Sequence, residues 1–352
     1  MAARSAAREV VALGRACDNA CVFCAQEGLA RESVTDLALP EPGAAGVTFA
    51  GGEPGIDERL EELVAKARAA GHARIGVQTN GRALSAPGRI EALARAGLTD
   101  VHLSLHGSDA RVHDWHTGAP GSFDAALKTL AAARAAGLRA VVVTVLTRSN
   151  FRVLAPLPRM LASRGVAGWC IDVPRWRGRA QTHADRVVPR LALALPFALH
   201  AIDAAEALGL TSFVRGAPAC LLGPFASRAL PESEPRAFAD VCTSCPSRGA
   251  CAGVDAQYVA RFGAGELAPR PPFARETRAP ELATLFVGAG EMAPLREDLP
   301  VHPPPERARV SLPVMGRPAP AHAEVPASAP KQTGEALKAI LPDLFAGKRG
   351  ER

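Results

Sequence analysis

The chain has 352 residues, 48% of them hydrophobic and 22% charged, enough apolar surface to bury a sizeable core, which excludes a disordered protein. Arg, Asp, Gly or Pro breaks every apolar run before the roughly 18 to 20 residues that a spanning helix needs, so no membrane association is expected. Lys plus Arg number 41 against 35 Asp plus Glu, a formal excess of +6, yet aromatics are only 5% and the cations are scattered Arg, which argues against nucleic acid as a partner.

Arg4 and Arg8 precede an apolar stretch at 10–13 that is far shorter than the roughly 7 to 15 residues of a signal-peptide core. Without an export signal, eight Cys point to thiolates that hold metal in a reducing compartment, and the expected location is the cytoplasm.

Taken in chain order, residues 10–13, 47–50, 74–79, 100–106, 139–147 and 168–173 read as strands. Helical patterns fill 57–70, 86–96, 122–136, 150–164 and 189–208, ending at or near Gly71, Gly97, Gly137, Gly165 and Gly209. Strands alternating with helices call for parallel neighbours and right-handed crossovers, hence an α/β fold, a partial (β/α)6 barrel. Chemistry in such barrels gathers at the C-terminal ends of the strands.

Three regions follow: a barrel over 1–210, a small cysteine-rich domain over 211–268, and a tail over 269–352. Fourteen of the 30 prolines fall between Pro269 and Pro330, so the tail reads as a flexible extension, with one short amphipathic helix at 334–345.

Directly after the first strand comes Cys17-Asp18-Asn19-Ala20-Cys21-Val22-Phe23-Cys24, three thiols spaced to take one corner each of an iron–sulfur cube and to leave the fourth iron open. A zinc site completed by a distant Cys or His is the alternative on spacing alone. The Cys-x3-Cys-x2-Cys run, with Phe23 before its last Cys, resembles the cluster signature of the radical S-adenosylmethionine (radical SAM) superfamily. That resemblance implies a [4Fe–4S] cluster on Cys17, Cys21 and Cys24 whose open iron chelates S-adenosylmethionine. It also implies one-electron cleavage to a 5′-deoxyadenosyl radical, and a low-potential donor such as a ferredoxin or flavodoxin.

At the end of the second strand, Gly51-Gly52-Glu53-Pro54 is similar to the family's glycine-rich motif for the methionine amino group; a tight strand-to-helix turn is its plain structural alternative. Alternation in Val101-His102-Leu103-Ser104-Leu105-His106 turns His102, Ser104 and His106 towards the lumen, with Gln78 and Asn80 on the matching side of the third strand. By resemblance, Ser104 and Asn150, and less directly His106, are candidates for ribose and carboxylate contacts. The stretch 174–180 resembles the family segment that lies against the adenine.

Beyond the barrel, Cys220, Cys242, Cys245 and Cys251 supply four thiolates, enough to close a metal site. Their spacing resembles the auxiliary-cluster domains called SPASM or twitch, the single set of four matching the one-cluster type. Two cubes would carry about eight irons per chain, and a four-cysteine zinc site is the alternative. Cys170 is left over and reads as a small buried hydrophobe.

The reading is therefore a radical SAM enzyme that abstracts hydrogen from a substrate, by resemblance a peptide or protein side chain. Only nine residues precede the first strand, fewer than the peptide-recognition domain of some such enzymes, so a small-molecule substrate stays open. The alternatives are a tRNA- or small-molecule-modifying relative and a non-catalytic iron–sulfur or zinc protein.

Overall fold

A computed structural model describes residues 8–26, 37–42, 46–231, 236–273 and 280–286. The chain divides into Met1–Glu297 and Asp298–Arg352, and every described residue lies in the first unit. The helix expected at 334–345 and most of the proline-rich tail lie outside the described residues. Among the described residues no helix is long and apolar enough to cross a membrane.

Seven strands form one sheet: β1 (Glu9–Ala12), β2 (Val47–Ala50), β3 (Ile75–Thr79), β4 (Asp100–Ser104), β5 (Arg139–Val145), β6 (Gly168–Asp172) and β7 (Thr211–Arg215). All are parallel and lie in sequence order. Parallel strands in sequence order, each from β3 onward reached by a helical crossover, are the winding that curls a sheet into a barrel, here open between β1 and β7.

The crossovers carry α1 (Leu60–Ala69), α2 (Arg89–Ala96), α3 (Ala110–Thr117), α4 (Ser122–Ala135), α5 (Leu157–Ser163), the short α6 (Gly178–Thr182) and α7 (Ala184–Val187), and α8 (Leu191–Ala207), and α9 (Ala256–Phe262) follows β7. Apolar residues of one sheet face, among them Phe49, Val77, Leu103, Val142 and Ile171, merge with Leu60, Val64, Leu93, Leu130, Leu161 and Ile202 of the helices into a single core. Burying each such side chain contributes about 1.5 to 3 kcal/mol. Helix ends follow local sequence: Gly97 closes α2 at φ 119°, its N–H donating to the carbonyls of Leu93 and Ala94.

Register sorts the other face into layers. His102 pairs with Gln78 and Val141, Ser104 with Val143, Val143 with Cys170, Cys170 with Phe213, and Val145 with Asp172 and then Arg215. The β1–β4 side of the lumen is polar: Arg8 meets Asp100 at 2.5 Å and Thr48 at 3.3 Å, and Arg139 meets Asp100 at 2.7 Å. The β5–β7 side is apolar, with Val141, Cys170 and Phe213 packed against Leu230, Leu285 and Phe286.

Three features depart from expectation. The barrel has seven strands, not six: β7, Thr-Ser-Phe-Val-Arg, is short and half polar, and its signal is easily lost between Gly209 and the cysteine-rich stretch. The connection after β4 contains α3, which the His and Asp content concealed. The tail is not without regular structure from 269, because α10 (Pro280–Phe286) lies within it and Leu285 and Phe286 are fully buried. Seven residues make too few turns for a periodic pattern, and Phe286 is recognised only by its partner, Phe213, with ring centroids 5.6 Å apart.

Candidate active site

The loop after β1 is tied down on every side. Its partners are β2 and the following turn (Leu13 N–H to the Ala50 carbonyl, 2.9 Å; Glu53 N–H to the Ala16 carbonyl, 2.7 Å) and the end of α3 (Ala20 N–H to the Thr117 carbonyl, 2.8 Å; Val22 N–H to the His116 carbonyl, 2.9 Å). Asn80 Nδ2 donates to the Asp18 carboxylate at 2.7 Å, and Arg82 pairs with the same carboxylate at 3.4 Å. Gly52, at φ 54°, is indispensable: a Cβ there would lie 2.1 Å from the Ala16 carbonyl oxygen, so only glycine lets the turn approach the cysteine loop.

So held, Cys17, Cys21 and Cys24 line one wall of a cavity of about 530 Å³ at the C-terminal ends of the strands. Asn19 N–H points at Cys17 Sγ, 3.4 Å away, and Asn80 Nδ2 lies 3.8 Å from the same sulfur. Burial pushes the Cys21 thiol up to about 12, with Cys24 and Cys17 adding and Asn19 and Arg179 opposing. Burial likewise raises Cys17, against the Asn19 hydrogen bond. Thiols so disfavoured as bare thiolates give up their protons once a cation compensates the charge, the behaviour of a metal-binding set.

Glu53 is buried on the same cavity wall, its carboxylate accepting from Gly55 N–H at 2.8 Å, Thr79 Oγ1 at 2.5 Å and Asn80 N–H at 2.6 Å. Burial raises its carboxyl to about 7 against those three donors. Phe23, Gly52, Ser104, His106, Gln78 and Asn80 also face the cavity. Pro54 is buried as the first residue of a single helical turn, and Gly51 faces the opposite side of the Glu53 turn. Asn150 is not brought to the cavity. Its side chain is spent on the backbone, accepting from Thr147 N–H at 2.8 Å and donating to the His106 and Val145 carbonyls at 3.0 and 2.8 Å, so it braces the strand end from behind.

Imidazoles surround Phe23. His106 lies edge-on to it at 4.6 Å and stacks on His113 at 5.6 Å. Val145 N–H donates to His106 Nδ1 at 3.2 Å and His106 N–H to His113 Nδ1 at 3.1 Å, so both rings are acceptors at Nδ1 and carry their proton on Nε2. Burial, then the neighbouring imidazoles, holds His106 well below the ordinary value; burial brings His113 to about 4 and His102, deeper in the lumen, to about 3.

The far wall was not anticipated. Asp172 and Arg215 end adjacent strands and form a bidentate pair at 2.9 and 2.5 Å, and Arg215 also donates to the Phe286 carbonyl at 2.7 Å. Arg15, Arg175 and Arg179 line the cavity as well, the last two within the stretch 174–180 expected against the adenine. Asp172, Arg215 and Arg15 end or follow a strand, the one signal in the sequence that could have marked them.

The second cysteine group gathers around a small cavity of about 20 Å³ lined by Cys220, Cys242, Cys245 and Cys251 with Arg248 and Arg270. Ala219 and Gly253 aim their N–H groups at Cys251 Sγ, at 3.2 and 3.3 Å, and burial raises the Cys220 thiol. In a four-iron cube each thiolate ligates its own iron and needs no common centre; among the described residues no three His, Cys, Asp or Glu converge on one ion. The donor chemistry and the N–H groups directed at sulfur in both groups suit iron–sulfur clusters. Cys170 lies apart, fully buried beside Val141, Phe213 and Phe286.

Residues 11–150 match the family model described as the Radical SAM superfamily. Two curated relatives are an AdoMet-dependent heme synthase of Nitratidesulfovibrio vulgaris, 28% identical over 184 residues, 49% of this chain and 50% of the relative, and a PqqA peptide cyclase of Ruegeria pomeroyi, 31% identical over 192 residues, 48% and 51%. The chain thus spans about half the length of the curated relatives it matches. Among solved structures, Streptococcus suis SuiB aligns at a TM-score of 0.49 and 16% identity, over 62% of this chain and 51% of that one. The strands β2 to β5, the three-cysteine loop and the Gly51–Glu53 turn all lie inside the matched span, so this part of the chain is similar to the radical SAM superfamily, a family whose cofactors are a [4Fe–4S] cluster and S-adenosylmethionine.

Proposed function

We propose that this chain is a radical SAM enzyme in which Cys17, Cys21 and Cys24 hold the cluster, S-adenosylmethionine occupies the adjoining cavity, and a substrate hydrogen atom is abstracted there. The observation that carries this reading is that the three thiols and Glu53 line a single cavity of about 530 Å³. When bound, the cluster and S-adenosylmethionine supply the oxidant by one-electron cleavage of the sulfonium, chemistry that belongs to the cofactors and asks no side chain for a tuned pKa.

The protein's part is binding and orientation. The Glu53 carboxylate, fixed by three donors, and the adjoining backbone of Gly52 suit an ammonium group. Ser104 presents a hydroxyl at the cavity wall for a ribose or carboxylate, and Phe23, within the cysteine loop, packs edge-on against His106. Val143, Val145, Val173 and Pro174 add apolar surface beside the Asp172–Arg215 pair, a partly dry lining that suits a radical. Cys220, Cys242, Cys245 and Cys251 are proposed to hold an auxiliary cluster that relays an electron or anchors substrate, and reduction is proposed to come from a ferredoxin- or flavodoxin-like donor.

For the substrate, a peptide or protein side chain is the leading reading, supported by the relative named for a peptide cyclase. A small acidic molecule is the second, favoured by the relative named for heme synthesis and by Arg15, Arg175 and Arg215 at the cavity.

The deciding experiment is 5′-deoxyadenosine formation, followed by mass spectrometry, in anaerobically reconstituted protein given S-adenosylmethionine and a low-potential reductant. Product that disappears in the Cys17→Ala, Cys21→Ala, Cys24→Ala triple variant is the expected result. Iron-loaded protein that neither binds S-adenosylmethionine nor forms product would leave the chain a binding protein.

A further inference from the structure

The segment after β6 reaches back across the cavity to the cysteine loop through one residue. Arg179 N–H donates to the Cys24 carbonyl at 2.9 Å, and Arg179 Nη1 donates to the Cys21 carbonyl at 3.2 Å. Two of the three cysteines therefore have their carbonyls engaged by the same arginine, although 158 positions separate Cys21 from Arg179. The other ties that anchor the middle of this loop are neutral backbone bonds, Ala20 to Thr117 and Val22 to His116, or fall at Asp18 and Asn19, where Arg82 meets the Asp18 carboxylate, the Asp18 carbonyl and Asn19 Oδ1. Arg179 brings its charge to the carbonyl of a cluster cysteine itself, half-buried at the cavity wall on the Cys21–Cys24 side.

Arg179 in that position acts twice. Its backbone N–H on the Cys24 carbonyl and its guanidinium on the Cys21 carbonyl fix the spacing of the two cysteines and draw the negative ends of both carbonyl dipoles away from the sulfurs. The guanidinium charge would lie beside the proposed cluster, which gains an electron. Three thiolates on a [4Fe–4S]2+ core sum to one negative charge, and reduction makes it two, so a fixed cation in a partly desolvated site stabilises the reduced form more than the oxidised one.

We infer that Arg179 is a positioning residue of the first cysteine loop whose charge sets the ease with which the cluster held there is reduced. The inference rests on the proposed cluster at Cys17, Cys21 and Cys24, and it assigns the connection after β6 a role in the reduction step, beyond lining the cavity.

The test is a redox titration of the full chain, reconstituted anaerobically, as wild type, Arg179→Lys and Arg179→Gln, with iron counted in each. The paramagnetic signal to follow is the one that changes on addition of S-adenosylmethionine, which separates this cluster from any second one. In Arg179→Gln the reduced-to-oxidised ratio at a fixed potential should fall about tenfold, a shift of about 59 mV for a one-electron couple, while Arg179→Lys stays near wild type. Loss of this cluster's irons from the Gln variant alone gives the same answer by chemical analysis. Equal midpoints in all three proteins, or equal shifts or equal iron loss in Lys and Gln, overturn the inference. A wild type with no signal responsive to S-adenosylmethionine overturns the cluster reading instead. In that case hydrogen exchange at 17–24 in the unloaded chain decides: exchange several-fold faster in Arg179→Gln keeps Arg179 as the clamp, and unchanged exchange removes it.

Discussion

The two cysteine groups are built from the same chemistry and differ in what surrounds them. Cys17, Cys21 and Cys24 sit on a loop between parallel strands and face a cavity of about 530 Å³, whereas Cys220, Cys242, Cys245 and Cys251 close around about 20 Å³. Three donors beside a large space leave a coordination site for a reactant; four donors around a small one leave none. The surroundings differ to match. Glu53, Gln78, Ser104 and Asp172 line the first, while apolar and backbone groups with two arginines wall the second. On the proposed reading the open site does the chemistry and the closed one supports it, a distinction that the thiols alone do not carry.

The sharpest way to break this comparison is to empty each group in turn. The Cys17, Cys21, Cys24 triple-Ala variant should lose 5′-deoxyadenosine formation by about two orders of magnitude or more and drop from about eight irons to about four. Replacing Cys242 and Cys245 by Ala should remove a similar share of iron while leaving S-adenosylmethionine cleavage measurable. Stoichiometric zinc in the second group would end its reading as a cluster site.

Gly52→Ala tests whether the open site depends on the close approach of two loops. The added Cβ meets the Ala16 carbonyl at 2.1 Å with φ at 54°, so a loss of about 2 to 4 kcal/mol is expected in urea melts, together with weakened binding of S-adenosylmethionine.

Acid should separate the groups next. Burial holds His113, stacked on His106, at about 4, below its ordinary value of 6.5, so its contribution is complete above pH 6.5 and is lost as pH falls towards 4. By pH 5 this costs the fold about 2 kcal/mol, and His102 adds in the same direction. Glu53 works oppositely in the unloaded chain: burial raises its carboxyl to about 7, so its contribution is present below 4.5 and lost as pH rises through 7. No His lines the second group, so hydrogen exchange at pH 5 should quicken around Phe23 before it does around Cys245. A His113→Asn variant, whose amide oxygen can still accept from His106 N–H, should flatten the acid limb.

The smallest effect belongs to the cysteine in neither group. Cys170→Ala should leave iron content unchanged and cost about 1 kcal/mol for the sulfur removed from between Val141, Phe213 and Phe286. Iron loss in this variant would place Cys170 among the ligands.

Much of the barrel was legible because its signals are local. β-branched runs, helices closed by glycine and the spacing of Cys17, Cys21 and Cys24 lie within windows of a few residues, and the Gly51–Glu53 turn could be read the same way. Asn150 misled because its position after β5 suggested a ligand contact, while its amide is used entirely by the Thr147, His106 and Val145 backbone. β7 and α10 were missed because each is too short to carry a period. What marks them is partnership, Cys170 with Phe213 and Phe213 with Phe286.

The sequence by itself determined an α/β chain of parallel strands, two groups of thiols in a fixed order, and a glycine turn between strand and helix, since all of these depend on neighbours along the chain. Only the tertiary structure decided that Glu53 spends its charge on Thr79 and Asn80, that Asp172 faces Arg215 and that Arg179 grips the Cys21 and Cys24 carbonyls. Those contacts join residues tens to more than a hundred positions apart. They exist because strand register and burial bring the groups together, and the cost of leaving polar groups unpaired in a buried wall holds them there.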